Sequence, residues 1–359
     1  MKRLPGLSGF VRAKNEGKFI GSSIDSCIDA LDELVVVYND CTDDTEQVLK
    51  QKMLQYPQKI KLFPYNHNVR VTDLSKEEFD FLKSQPDTYP QLHAAQCNWA
   101  LSKCTYEFAI KIDPDQIYFE DNLKSIRHTC KYATFNWNFS FILGWLIRIY
   151  ISIYKRLSAS IGKPCIGMLS LLQRFPWLIH SYEKYSLWQL KKKKAALSLS
   201  GINVFYDGEW SIPFDGINIH PPYNGEGDHL LFAVSEETCF TKSCFEGLSY
   251  KIIEAFEHPY KVLTWLSPIW FHFHANRPYC ADKVRNAKME HPDWFVDPKA
   301  FTEMNYKEVH NKMNHKSHTL YQRTLFGIIH TFGKKHIKPH LYILDKFMPP
   351  FMKNQFNKY

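Results

Sequence analysis

The chain has 359 residues, 45% of them hydrophobic and 15% aromatic, which supports a sizeable packed core and argues against disorder over most of its length. Its formal charge of +8, from 45 Lys and Arg against 37 Asp and Glu, is too mild to argue for nucleic acid as a partner but fits an anionic one. No apolar stretch precedes the charges at Arg12, Lys14 and Glu16, so a secretory signal is not expected and the expected compartment is the cytoplasm; nine cysteines without a CxxC pair are expected to be reduced, mostly buried thiols.

Residues 7–13, LSGFVRA, predict a first strand, and after the polar break KNEG the positions Ile20, Ile24, Cys27, Ile28 and Leu31 recur at helical spacing. The continuous run LDELVVVYN reads as a strand buried on both faces of a parallel sheet. CTDDTEQVLKQKML opens the next helix, with Thr42 or Asp43 as its cap and Val48, Leu49 and Met53 on its buried face. KIKLFPY is a third strand ending at Pro64, and the polar residues 72–90, with Pro86 and Pro90, are expected to form an insertion or mobile loop. QLHAAQCNWALSKC then places Leu92, Ala95 and Trp99 on one helical face, and YEFAIKI is a strand that delivers the chain to Asp113. Four strand–helix alternations predict an open, mainly parallel α/β sheet whose strand C-terminal ends line one crevice.

After residue 133 the composition shifts. FSFILGWLIRIYISIY, residues 139–154, is apolar but interrupted by Arg148 and short of the ~20 residues a spanning helix needs, so a buried or interfacial helix is expected. CIGMLSLLQRFPWLI is broken by Arg174 and Pro176; Lys191 to Lys194 follow, a solvated run in most proteins but, beside two apolar helices, suited to anionic lipid head groups. From residue 201 short strands alternate with turns at Asp207-Gly208, Asp215-Gly216 and Asn224-Gly225. HLLFAV reads as a helix that Asp228 would cap, and PIWFHFH, residues 268–274, as a strand with His272 and His274 on one face. Beyond 281 the chain is polar and helical, then basic and aromatic, ending in a helical segment or surface-docking arm.

Asp113 and Asp115, in AIKIDPDQIYF, point the same way if the backbone is extended, so their oxygens can converge on one hard divalent cation. Two carboxylates this close need a positive neighbour, a metal or Lys111; the alternative is an Asp-Pro turn with a surface ion pair. Spacing alone leaves both open.

The wider context resembles the family 2 glycosyltransferases, enzymes with the GT-A nucleotide-sugar fold. SGFVRAKNEG is similar to their first strand and its Arg/Lys-Asn-Glu segment, DELVVVYNDCTDDT to their second strand and turn, and QCNWALSKCTYEFAIKIDPDQIYF to their Asn-x-Ala-Leu helix and the strand running into D-x-D. The resemblance covers residues 7–120. It implies an α/β, Rossmann-like GT-A fold with a mainly parallel central sheet flanked by helices, an apolar helical insertion and a C-terminal helical extension. The expected division is a nucleotide-sugar half over 1–125, an apolar and basic insertion over 126–200, an acceptor-side half over 201–280 and a basic helical extension over 281–359.

By the same resemblance, Arg12, Asn15, Glu16, Tyr38, Asn39, Asp40 and Asp113 are expected to bind the donor, and Asp115, assisted by Asp113 and His274, to hold Mn2+ or Mg2+. Asp228, with Glu226 as runner-up, is expected as the base. Tyr38 stands where the family usually has an acidic residue, so the base is expected to be met by Asp40 or by stacking on Tyr38. Trp210 is placed either in the core or against a sugar ring. The implied function is metal-dependent, inverting sugar transfer from a nucleotide sugar, a UDP-sugar being favoured, to a glycan or lipid-linked hydroxyl in surface polysaccharide, capsule or lipopolysaccharide synthesis. The expected location is cytoplasmic, peripheral on an anionic membrane face. The alternatives are a sugar nucleotidyltransferase, against which FVRAKNEG lacks the glycines of a phosphate loop, and a non-catalytic membrane-attached scaffold on a degenerate transferase fold.

Overall fold

A computed structural model describes residues 3–135, 139–173, 175–214, 221–225, 229–247, 249–313 and 318–356. Strand β1 (Leu4–Ala13) lies inside a seven-stranded sheet, between β2 (Glu33–Tyr38) and β4 (Tyr106–Lys111), with β3 (Ile60–Pro64) outside β2 at one edge. These four strands are parallel. The β-branched run Val35, Val36 and Val37 is fully buried because helices cover both faces of the sheet, at about 2 kcal/mol per side chain removed from water. Right-handed crossovers follow from α1 (Gly17–Cys27), α2 (Thr45–Gln55) and, after an intervening α3 (Lys76–Ser84), α4 (His93–Lys103). The fold is thus α/β with a mixed, mainly parallel sheet.

Three local expectations are corrected. Helix α2 starts at Thr45, so its N-cap position is Asp44 rather than Thr42 or Asp43; Asp43 accepts hydrogen bonds from the Thr45 amide and hydroxyl and from the Gly17 amide, tying the turn to α1. Residues 72–90 are not simply a loop: Ser75 and Glu78 form a capping box at the start of α3, whose Phe79 and Leu82 are buried. HLLFAV is not a helix. Leu230–Ala233 is a strand running antiparallel to β4, buried on both faces, because the sheet has an inner position there that only an extended apolar segment can fill. It bridges β4 to β6 (Ala195–Ser198), on whose far side Lys261–Thr264 adds a parallel edge strand.

A second, four-stranded sheet positions the site. It joins β5 (Gln116–Tyr118), Trp270–His272, β7 (Gly201–Asn203) and Tyr223–Asn224. Because β5 begins directly after Asp115 and pairs antiparallel with Trp270–His272, in the register Gln116 opposite His272, the aspartates are carried to the end of the histidine strand. The Phe273 amide donates to the Asp115 carbonyl at 2.8 Å and closes this junction.

Helix α5 (Glu120–Tyr132) packs back on β1. The apolar segment forms α6 (Phe139–Ile161), α7 (Ile166–Gln173) and α8 (Pro176–Lys191), with α6 and α8 packed against each other. At 23 residues α6 is longer than the apolar run foretold. Even so, among the described residues no helix is long and apolar enough to cross a membrane. The inner face of α6 joins a core built with Leu320–Gly333 and the later C-terminal helices.

Candidate active site

A cavity of about 830 Å³ opens where the C-terminal end of β1, the turn after β4 and the end of Trp270–His272 meet. Asp115 lies at its floor, only 4% exposed. Its Oδ1 is 3.5 Å from His272 Nε2, and its Oδ2 is 3.7 Å from His274 Nδ1 and 2.7 Å from Arg277 Nε. The histidines do not share a strand face, since the strand ends at His272 and His274 opens a 3-10 turn over His274–Asn276. That turn nevertheless brings both imidazoles to one carboxylate. Burial alone would raise the Asp115 carboxyl, but His272, His274 and Arg277 outweigh it and hold it well below the ordinary carboxylate range.

Asp113 does not point at the same pair of histidines. Its Oδ2 meets His229 Nε2 at 2.7 Å, and His229 Nε2 is also 3.2 Å from Gln116 Nε2. Burial would raise this carboxyl too; Lys111 and His229 overcome it and keep Asp113 ionised. Glu16 shows the opposite balance. Burial pushes it up to about 7 despite the Arg277 guanidinium 3.0 Å from its Oε1, with Asp115 and Asp113 adding like charge. Arg277 therefore bridges two acids and also lies over the Phe19 ring, 5.5 Å from its centroid.

Beside this cluster, Glu254 accepts from Arg12 Nη2 and Lys111 Nζ, each at 3.1 Å, and from His93 Nδ1 at 2.6 Å. The hairpin Cys239–Phe245 and Lys251–Glu257 delivers Glu254 over α4. His93, Cys97 and Glu254 are close enough to ligate one ion. Two cations already neutralise that carboxylate, and burial pushes the Cys97 thiol up to about 12, so the group is an ion-pair nest.

Arg12, Glu16 and Asn39 line the cavity, whereas Asn15, Tyr38 and Asp40 are not among its lining residues. Asn15, at φ 57°, accepts from the Thr42 amide at 2.7 Å and shapes the turn; Asp40, at φ 44°, lies 3.8 Å from Lys14. Asn39 is buried, accepting from Gln96 Nε2 at 2.8 Å. The Tyr38 ring packs beside the core of the sheet. Trp210 is a core residue, stacked on Phe273 and donating to Asp345 at 2.8 Å. Glu226 and Asp228 lie outside the described residues. Gly225, the last described residue before them, has φ +81°, and a Cβ there would fall 2.4 Å from the Trp270 ring. His229, Arg277, His93 and Glu254 had no local sequence signal as site residues; only His229, adjacent to Asp228, stood near one.

The donor set at the cavity floor, one carboxylate and two imidazoles whose ligand atoms lie within 4.8 Å of one another, suits a borderline divalent cation such as Mn2+. The residues fit such an ion.

The first four strands thus form a parallel α/β sheet with the aspartate pair at its C-terminal edge, beside the cavity. Residues 5–136 match the model of a family described as beta-1,4-N-acetylgalactosaminyltransferase (CgtA). That span, a little over a third of the chain, is similar to this glycosyltransferase family and includes the D-x-D segment. Among curated proteins no significant match was found. Among solved structures, glucosyl-3-phosphoglycerate synthase from Mycobacterium tuberculosis, in complex with Mn2+, UDP and glucosyl-3-phosphoglycerate, is 23% identical over 32% of this chain and 34% of that one, with a TM-score of 0.20. S. aureus TarS is 19% identical over 34% of this chain and 19% of that one, with a TM-score of 0.22. The match thus spans about a third or less of those proteins, and the fold assignment rests on strand order and register.

Proposed function

We propose that the protein is a metal-dependent, inverting glycosyltransferase that moves a sugar from a nucleotide sugar, a UDP-sugar first among them, to a hydroxyl of a glycan or lipid-linked acceptor at the cytoplasmic face of a membrane. The observation that carries this reading is the convergence of Asp115, His272 and His274 on one point of a cavity large enough for a nucleotide sugar. Those three residues would hold Mn2+ or Mg2+, which when bound supplies positive charge to a departing diphosphate. Arg277, already at the cavity floor, adds a fixed cation for the same charge. Asp113, ionised and oriented by His229, is suited to accept from a ribose hydroxyl. Arg12 and His93 form a wall fixed by Glu254, with Glu16 and Asn39 near the nucleotide. Asp228, or Glu226, is assigned by resemblance to deprotonate the acceptor hydroxyl.

A panel of nucleotide sugars assayed with and without Mn2+ tests the reading, UDP-N-acetylgalactosamine first, since N-acetylgalactosaminyl transfer names the matching family. Turnover of one donor, abolished by chelator, is expected; no turnover of any donor would leave the non-catalytic scaffold. A finer expectation concerns the two imidazoles. His274→Ala and His272→Ala should each weaken Mn2+ binding on the order of ten- to a hundredfold, because each removes a neutral nitrogen donor while Asp115 remains. Titration calorimetry reads this without any reaction; unchanged affinity in both variants would remove the histidines from the metal shell.

A further inference from the structure

Helix α6 is apolar on two opposite sides. Phe141, Gly144, Ile147, Ile151, Tyr154 and Ser158 are buried against the protein. Phe139, Ile142, Leu146, Ile153 and Leu157 face outward, from 42% to 72% exposed. At about 100° per residue these five fall within one stripe roughly 60° wide, nearly opposite the buried face and about 27 Å long. Trp145, on the edge of the stripe, and Trp177 on the neighbouring α8 are 45% and 59% exposed. A single exposed leucine needs no explanation, but a continuous stripe flanked by tryptophans does.

The charge pattern indicates what covers it. Between Asp121 and Glu183 the sequence has no acidic residue, yet it carries Lys at 155 and 163 and Arg at 127, 148, 156 and 174, besides Lys124 and Lys131, which pair with Glu120 and Asp32. Arg148, on the flank of α6, also lines a separate cavity of about 450 Å³ with Lys193, Lys194 and Lys261, beside Gln189 and Tyr260. Of these, Lys193 is paired with Glu107 at 3.1 Å. A protein partner of ordinary surface composition has no need of so one-sided a field, whereas an anionic bilayer presents negative phosphates above an apolar layer.

We propose that α6 lies in the plane of an anionic bilayer, its outward stripe immersed at the headgroup–acyl boundary and the basic cavity at its flank taking a lipid phosphate. This rests on the membrane-face part of the proposed function and is independent of the transfer chemistry. The test is co-flotation of the full chain with phosphatidylcholine vesicles, with and without phosphatidylglycerol at roughly one lipid in three. Binding to the anionic vesicles alone is expected. Ile142→Asp with Leu146→Asp should reduce it on the order of tenfold or more, and Arg148→Glu with Lys194→Glu should abolish the preference for phosphatidylglycerol. Leu146→Trp, which adds an interfacial ring without touching the buried face, should strengthen binding and serves if the double aspartate variant fails to fold.

No binding to either vesicle, or binding unchanged by the stripe variants, would overturn the proposal. So would a dimer by light scattering that the double aspartate variant dissociates, since a second copy would then cover the stripe. Donor turnover is measured separately: vesicle binding without turnover of any nucleotide sugar would sink the transferase reading and support this surface, and turnover without vesicle binding would do the reverse.

Discussion

Asp115→Asn is expected to lower transfer from the accepted nucleotide sugar on the order of a thousandfold, the largest catalytic loss of any single change in this cavity. Asp115 is the sole carboxylate among the three groups able to ligate an ion at the floor. Asparagine keeps the shape and one oxygen but loses the charge that attracts a divalent cation. The folding penalty should be smaller, about 1–3 kcal/mol, because Arg277 keeps Glu16 as a partner 3.0 Å away and is not left as an isolated buried charge. Turnover and thermal unfolding measured on the same preparation separate the two effects. Activity within tenfold of the parent would contradict the role assigned to Asp115.

Glu254→Gln is expected to produce the largest loss of stability, about 3–5 kcal/mol, since it removes the carboxylate that Arg12 and Lys111 share in a nest where all three side chains are at most 14% exposed. The pair lies on neighbouring strands, Lys111 opposite Phe10, so the two cations start from fixed, adjacent backbone positions. The pH dependence has a definite sign. Arg12, His93 and Lys111 outweigh burial and hold the Glu254 carboxyl far below its ordinary value of 4.5, so its contribution is complete above that value and wanes as the pH falls below it. His93, which burial and Arg12 push down to about 4 from 6.5, acts in the same direction: between those values the unfolded chain takes up a proton that the folded one refuses, and stability falls as the solution is acidified. Glu16, raised from 4.5 to about 7, opposes His93 to a similar extent by favouring the folded state toward lower pH in the window above 4.5. Melting temperature should therefore change little from pH 7 down to 4.5, and below 4.5 should drop in the parent and less in Glu254→Gln, which starts lower. Parallel curves would show that the nest does not govern acid stability.

Local pattern reached far into the first third of the chain. The apolar run ending at Tyr38 and the strand ending at Lys111 are read correctly because a strand buried on both faces must be continuously apolar, a constraint that needs no knowledge of its neighbours. The α3 helix was legible too, in Ser75 and Glu78 at capping-box spacing, but the surrounding polarity and prolines masked it. Leu230–Ala233 was not legible. A four-residue apolar run has no measurable period, and its extended form is imposed by the sheet position between β4 and β6. The same limit applies to α6, whose length and two apolar faces emerge only when its packing against α8 is known.

By itself, the sequence determined an α/β sheet, a D-x-D turn at the end of its fourth strand and the likeness to glycosyltransferases of the segment that leads there, since all three are written in contiguous residues whose spacing is a local property. Tertiary structure alone decided the partners of each aspartate. His229, His272, His274 and Arg277 stand more than a hundred residues from Asp113 and Asp115 and reach them because β5 pairs with Trp270–His272. Glu254 is separated from Arg12 by 242 residues and meets it across the hairpin laid over α4. Charges find counter-charges by distance in space, and no spacing along the chain encodes that distance when a sheet register sets it.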